Sequence, residues 1–327
     1  MPVPGPRQPL RYRMYGYPVA SDIALPLRPA SNADASPPAW TFRLAEAGTE
    51  PRPIGDVVGR HSWNDTVFSE LRRGPGGDWI WTRDSGTCHV SPDARVVVVY
   101  PEEIGDPLDL HLMLIGQISV HVVRQLGHPV LHASAVVCEQ GALGFLGDHG
   151  QGKSTIAASF VRRGATLLSD DALPLNVRDD GVWARPGVAW MKVFPDTARQ
   201  TLDRDDLPKL MPNHEKFDKR VLLLDKRYRF AEHAARLRAL YVLHRYDPIA
   251  SGRSDVTTRS LGLREAFHSL LAQTSWRALL EPREGAAMMP RYAALARQIP
   301  VRVLTYPDGY EFQEDVCAHV LADVEAL

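Results

Sequence analysis

The sequence predicts an α/β domain built around a phosphate-binding loop, preceded by a smaller α+β domain. Three observations carry this. The stretch GDHGQGKS, Gly147–Ser154, fits G-x-x-x-x-G-K-[ST] in full. It sits between an apolar run, GALGFL, and a helical run, KSTIAASFVRR, and a second apolar run, ATLLSDD, follows. Strand, loop, helix, strand is the order that such a loop requires. The character of the chain also changes near residue 128, which divides it into an α+β region over 1–127, with a substrate-holding or assembly role, and the loop-bearing region over 128–327.

The 327 residues suit two domains, and a composition 44% hydrophobic and 24% charged is that of an ordinary globular protein. A formal net charge of -1 argues against a nucleic-acid partner held by bulk electrostatics. Cys88, Cys138 and Cys317 form no CxxC pair and no even-numbered framework, so a reducing, cytoplasmic setting is expected. No apolar core of a signal peptide opens the chain. The most apolar long stretch, DPLDLHLMLIGQISVHVVRQLGH, carries Asp109, Gln117, His121 and Arg124, so it reads as a buried helix and not as a membrane span.

In chain order, LPLRPASNADASPPAW reads as a surface loop. DWIWTR alternates like a half-buried strand, and RVVVVY is a β-branched strand. The long helix that follows has Asp106 as its N-cap, Pro107 in the first turn and Gly127 as its stop. Leu131–Val137 and Leu143–Leu146 read as a hairpin-like strand pair. After the loop helix, Gly164 is the C-terminal stop, and ATLLSDD is a strand running parallel to the loop strand, near it or beside it. VAWMKVFPD reads as a strand turning into a helix. ALYVLHRYD and VRVLTYPD are buried strands, while LREAFHSLLAQTSW, MPRYAALARQ and FQEDVCAHVLADVEAL have helical periodicity.

The chemistry of the loop explains its spacing. Gly147, Gly150 and Gly152 let the backbone close around phosphate oxygens, and successive N–H groups make an anion nest. The helix beginning at Lys153 aims its positive end at the same point. The Lys153 ammonium reaches the β- and γ-phosphates and the Ser154 hydroxyl suits Mg²⁺. Asp148, His149, Gln151 and Thr155 complete the nucleotide-binding stretch, with His149 read as a surface position. Asp170 and Asp171 end the next strand at the same sheet edge. One can hold metal while the other takes the proton of an attacking hydroxyl.

VLHASAVV followed by GDHGQGKSTIAASFVRRGATLLSDD resembles the catalytic domain of the HPr kinase/phosphorylase family over about residues 128–175. RPGVAWMKVFPD, DKRVLLLD and the opening YRMYGYPVASDIALPL resemble the HPr-kinase-like proteins of peptide natural-product clusters, including kinases of lasso-peptide precursors. The resemblance implies an HPr-kinase-like fold that binds ATP, or another nucleoside triphosphate, through Gly147–Thr155. It implies Mg²⁺ on Ser154 and one aspartate, Asp170, with Asp171 as the base toward a serine hydroxyl and His132 beside the active centre. Lys192 is a further phosphate or substrate contact on the same ground, and the family is oligomeric. Thr155 replaces the family's usual acidic residue, and no glycine-rich EIRGLG-like signature follows, so a one-way kinase is expected.

The basic stretch Lys216–Arg238 reads plainly as a solvated face. The sharper reading sets Lys219 or Arg220 against the transferred phosphoryl group. The expected activity is therefore phosphoryl transfer to a serine of a peptide or small protein, a ribosomally made lasso-type precursor being preferred. A small-molecule kinase and a non-catalytic nucleotide sensor are the alternatives.

Overall fold

The computed structural model describes residues 9–30, 36–63, 65–102, 106–210, 218–224, 227–280 and 282–327. It is a mixed α/β structure that divides into two compact units. The first comprises 1–127 together with 276–287; the second comprises 128–275 and 288–327.

The first unit contains an eight-stranded sheet. Its strands are β1 (Leu10–Met14), β2 (Tyr17–Ser21), β3 (Trp40–Leu44), β4 (Asp56–Trp63), β5 (Thr66–Gly74), β6 (Gly77–Thr82), β7 (Gly86–Val90) and β8 (Val96–Pro101). Their order is β1-β2-β3-β8-β7-β6-β5-β4. Alternate residues Leu71, Ile80, Cys88, Val97 and Val99 are fully buried, as a sheet with one covered face requires. The long helix predicted after Asp106 is present but interrupted. α1 (Pro107–Met113) and α2 (Ser119–Gln125) flank one π-helical turn, Leu114–Ile118. Asp106 caps α1 by accepting from the Leu108 N–H at 2.8 Å. The π turn sets Gln117 to accept from Thr82 at 3.0 Å, and the Ser119 hydroxyl satisfies the Leu114 carbonyl at 2.6 Å. Periodicity could not reveal this turn, since it is blind to the Thr82 hydroxyl that Gln117 meets.

A buried ionic network closes this unit. Asp78 accepts from Arg73, from His121 at 2.7 Å and from Gln125 at 2.6 Å. Glu284 pairs with Arg124 at 3.1 Å and with Arg73 at 3.4 Å. The segment carrying Glu284 also packs on β4, where a Cβ at Gly59 would lie 2.7 Å from the Ala278 carbonyl oxygen.

The second unit carries β9 (Val130–Leu131), β10 (Ala133–Cys138), β11 (Gly141–Leu146), α3 (Lys153–Arg162), β12 (Thr166–Ser169), β13 (Leu173–Arg178), β14 (Gly181–Ala184), β15 (Trp190–Val193), α4 (Pro195–Leu202), β16 (Arg220–Leu223), β17 (Ala235–Tyr246), α5 (Pro248–Ser251), β18 (Thr257–Ser260), α6 (Leu263–Ala272), the part of α7 (Pro282–Gln298) from Met288 onward, β19 (Val301–Pro307) and α8 (Gln313–Glu325). The main sheet runs β12-β10-β11-β17-β19-β18, and β11, β17 and β19 are parallel neighbours. β12 runs in the direction of β11 but is not its neighbour, since β10 lies between them and is antiparallel to both. The hairpin connection at Glu139–Gln140 makes this insertion the shortest closure available to the preceding strand. β10 begins at Ala133, because His132 leaves the ladder and donates its N–H to the Gln273 carbonyl at 2.7 Å.

Side chains alternate across β11. Leu143 and Phe145 join a core with Ile156 and Phe160 of α3 and Val316 and Val320 of α8, whereas Ala142 and Leu146 join Leu270 of α6 and Tyr292 of α7 on the other face. The sheet is thus covered by helices on both sides, and its carboxyl edge is left for the loop. Gly164 follows α3 with φ +98, the left-handed stop expected of it. No helix among the described residues is long and apolar enough to cross a membrane.

Phe145 is fully buried, 5.5 Å centroid to centroid from Phe160 and 6.1 Å from Tyr241. Phe145→Ala should cost about 3–5 kcal/mol, read as a fall in the urea midpoint at constant m-value. A change below about 1 kcal/mol would show that the sheet does not depend on this aromatic stack.

Candidate active site

The loop leaves β11 at Gly147 and enters α3 at Lys153. Gly150 and Gly152 hold φ of +85 and +87, the left-handed region that lets consecutive N–H groups face one point. Gly152 also has no room for a side chain, since a Cβ there would lie 2.5 Å from the Tyr306 hydroxyl. That hydroxyl donates to the Gln151 carbonyl at 2.6 Å, and the Gln151 side chain accepts from the Arg245 N–H at 3.1 Å. The loop is therefore clasped by the carboxyl ends of β17 and β19. Asp148 accepts from Gln273 at 3.3 Å. The Lys153 ammonium is tucked under the loop, donating to the Gly147 and Asp148 carbonyls at 2.6 and 3.1 Å. Burial lowers its pKa and Asp171 opposes that fall.

The two aspartates meet different surroundings. Asp170 is buried and receives donors from three elements. Its Oδ1 accepts from Ser134 of β10 at 2.6 Å and from Ser154 of α3 at 2.9 Å, and its Oδ2 accepts from the Lys192 N–H of β15 at 2.8 Å. Burial, with the neighbouring Asp171 charge, pushes its carboxyl upward against those hydrogen bonds. Asp171 has φ +69, a left-handed conformation that aspartate tolerates better than most residues, and this turns its side chain away from that of Asp170. It pairs with the Lys192 ammonium at 2.7 Å. Burial pushes Asp171 upward, but Lys192 and then Lys219 outweigh it and hold the carboxyl well below the usual range. Lys192 is raised in turn, Asp171 overcoming its burial.

A cavity of about 210 Å³ opens over this arrangement. His132, His149, Gly150, Gly152, Lys153, Ser154, Thr155, Asp171, Lys192 and Lys219 line it, so most of the sequence-derived candidates converge there. His132 donates Nδ1–H to the Asp171 carbonyl at 3.0 Å, which leaves Nε2 as an acceptor. Burial and then Lys153 lower its pKa, so the ring is neutral at pH 7. His149, read from sequence as a surface position, also faces the cavity. Burial and then Lys219 lower its pKa. Lys219 stands 5.5 Å over the Phe194 ring. Arg220 does not line the cavity; its guanidinium pairs with Asp218 at 2.9 Å. Lys219, which immediately precedes β16, lines the cavity instead. Lys216 and Lys226 lie outside the described residues.

Sequence reasoning missed Ser134, Val193, Phe194, Thr197, Arg245, Tyr306 and Tyr310. Ser134 was visible only as part of LHAS. Arg245 and Tyr310 follow the carboxyl ends of parallel strands, where ligands of α/β sheets gather, and that rule would have found them.

No family model matches the chain, and no curated protein matches it. Among solved structures, the HPr(Ser) kinase/phosphatase from Coxiella burnetii is similar at 11% identity over 59% of this chain and 97% of that one, with a TM-score of 0.31.

Asp171 should remain ionised at every pH above the ordinary carboxylate range, near pH 4. Its pairing with Lys192 stabilises the fold above that range, and this contribution is lost as pH falls through the depressed folded value. Lys192→Met should therefore move the Asp171 carboxyl titration upward, followed by carbon-13 shifts of labelled aspartate. An unmoved titration would show that Lys192 does not hold Asp171 in solution.

Proposed function

We propose that this chain is a nucleoside-triphosphate-dependent phosphotransferase that moves a γ-phosphoryl group to a hydroxyl acceptor. One observation carries the reading: Asp171, freed from Asp170 by a left-handed turn, faces the same cavity as Lys153 and the loop N–H groups. A nucleotide sensor requires the loop but has no use for a second, ionised carboxylate at its mouth.

Ser154 Oγ and Asp170 Oδ1, 2.9 Å apart, form a pair of hard oxygen donors that fits Mg²⁺, with phosphate oxygens and water completing the shell. When bound, the metal neutralises phosphate charge. The protein groups divide the remaining work. The loop N–H groups hold the phosphates and Lys153 sits at the β,γ end. The acceptor oxygen forms a bond to the γ-phosphorus as the bond from that phosphorus to the β,γ-bridging oxygen breaks. The hydroxyl proton passes to an Asp171 carboxylate oxygen. A depressed pKa makes Asp171 a weak base, which suits a loose transition state in which the nucleophile loses its proton late. Lys192 fixes that carboxylate, and Lys219 adds positive charge beside the transferred group.

ATP is the expected donor, and a serine of a peptide or small protein the expected acceptor. The resemblance of RPGVAWMKVFPD, DKRVLLLD and YRMYGYPVASDIALPL to the kinases of peptide clusters favours a ribosomally made, lasso-type precursor as the first peptide to try. The reading needs only the residues of this unit, whatever the oligomeric state.

Asp171→Asn should reduce transfer by about 10²–10⁴-fold while leaving nucleotide affinity near that of the parent. The assay is a phosphate mass gain on peptide acceptors with ATP and Mg²⁺, beside a nucleotide titration. Full transfer by the variant would remove Asp171 from the base role. Tight nucleotide binding with no transfer to any peptide or small hydroxyl compound would favour the sensor.

A further inference from the structure

Beyond the phosphate-binding groups, the cavity wall holds three hydroxyls in a row. Thr155 Oγ1 in the first turn of α3 lies 3.1 Å from Thr197 Oγ1 of α4, and Thr197 Oγ1 lies 3.0 Å from the Tyr310 phenol oxygen. Thr197 is 1% exposed, while all three residues line the cavity.

The row has a simple proton balance. Three hydroxyls carry three protons, and two are used in the two links. Where both links run the same way, one O–H is left to donate outward from an end of the row, and both ends border the cavity. The phenol is the most acidic of the three, which favours donation inward to Thr197 and from Thr197 to Thr155, with the outward proton on Thr155. The Tyr310 oxygen then presents its lone pairs to the cavity. The row thus offers a donor beside the helix N-terminus and an acceptor at its far end.

The far end is held in place by its own anchors. Gly309 precedes Tyr310 with φ +138, and Gln313 donates to the Gly309 carbonyl at 3.4 Å. The Ser159 hydroxyl of α3 donates to Gln313 at 3.2 Å. The turn that carries Tyr310 is therefore tied to the same helix that receives the phosphates.

Direction along the cavity decides what meets this row. The γ end of a triphosphate is set by Lys153 and Asp171. The phosphate nearest the sugar must then lie by the first turn of α3, at Thr155, and the sugar follows. We infer that Thr155, Thr197 and Tyr310 form a ribose subsite, in which the Tyr310 oxygen accepts from a ribose hydroxyl and Thr155 donates to the adjoining phosphate. This rests on the phosphotransferase reading of the loop, and it identifies the nucleoside end that no sequence motif marked.

The test is equilibrium titration of the full chain with ATP, 2′-deoxy-ATP, 3′-deoxy-ATP and inorganic tripolyphosphate, for the parent and for Tyr310→Phe and Thr197→Val. Removing one such hydrogen bond should weaken binding by about tenfold. The parent should prefer ATP over one of the two deoxy analogues by that factor, and Tyr310→Phe should erase the preference while keeping tripolyphosphate affinity. Thr197→Val, which cuts the row but keeps its shape, should give a smaller loss in the same direction. Equal affinity of the parent for ATP and both analogues would overturn the subsite. So would an equal loss of ATP and tripolyphosphate in Tyr310→Phe, which would mean that the row only braces the loop. If the parent bound neither ATP nor tripolyphosphate, the phosphate-loop reading would fail first, and the subsite with it.

Discussion

The candidate site depends on how one buried carboxylate is satisfied. Asp170 has lost its water, and an unsolvated carboxylate is tolerated only with donors around it. Ser134, Ser154 and the Lys192 amide supply them from a strand, a helix and a second strand. Three elements distant in sequence are thereby pinned at one point. The start of α3 is among them, so the loop that precedes it is fixed as well. The interposed strand β10, as the neighbour of β12, brings Ser134 within 2.6 Å of Asp170.

The contrast between the paired aspartates follows from the backbone. An extended strand would alternate the two side chains and then continue. The strand instead ends at Ser169, and the left-handed residue at Asp171 turns the second carboxylate toward Lys192, Lys219 and the ring of His132. Burial acts on both carboxylates, but only at Asp171 does the pull of the ammonium groups, Lys192 first and then Lys219, outweigh it. Two identical residues thus receive opposite shifts, the arrangement that separates ligand from base in sites with two carboxylates.

Local pattern made the loop, its helix and the Asp-Asp strand readable. Each is a contiguous stretch whose physics is internal: glycine freedom, helix periodicity, β-branched runs. The N-cap at Asp106 and the stop at Gly164 were readable for the same reason. What stayed hidden was set by groups from elsewhere in the chain. The π turn places Gln117 against the Ser69 and Thr82 hydroxyls of β5 and β6. The place of β12 depends on a hairpin closing first. Arg220 and Lys219 are adjacent, so only the folded position of the chain at the start of β16 could tell which one reaches the cavity. Thr197 and Tyr310 belong to short elements with no motif, and their link to Thr155 appears only when α4 and the last turn come together.

The return of residues 276–287 to the first unit bears on the order in which a ribosome would release its parts. Glu284, the partner of Arg124 and Arg73, is made only after most of the second unit. During elongation, Arg124 must wait in a nascent chain without the carboxylate that it meets in the finished fold. Burying that guanidinium early would be costly, so the first unit completes its interior late despite being first in the chain. A break at residue 127 would likewise divide the gene without dividing the protein into its natural parts.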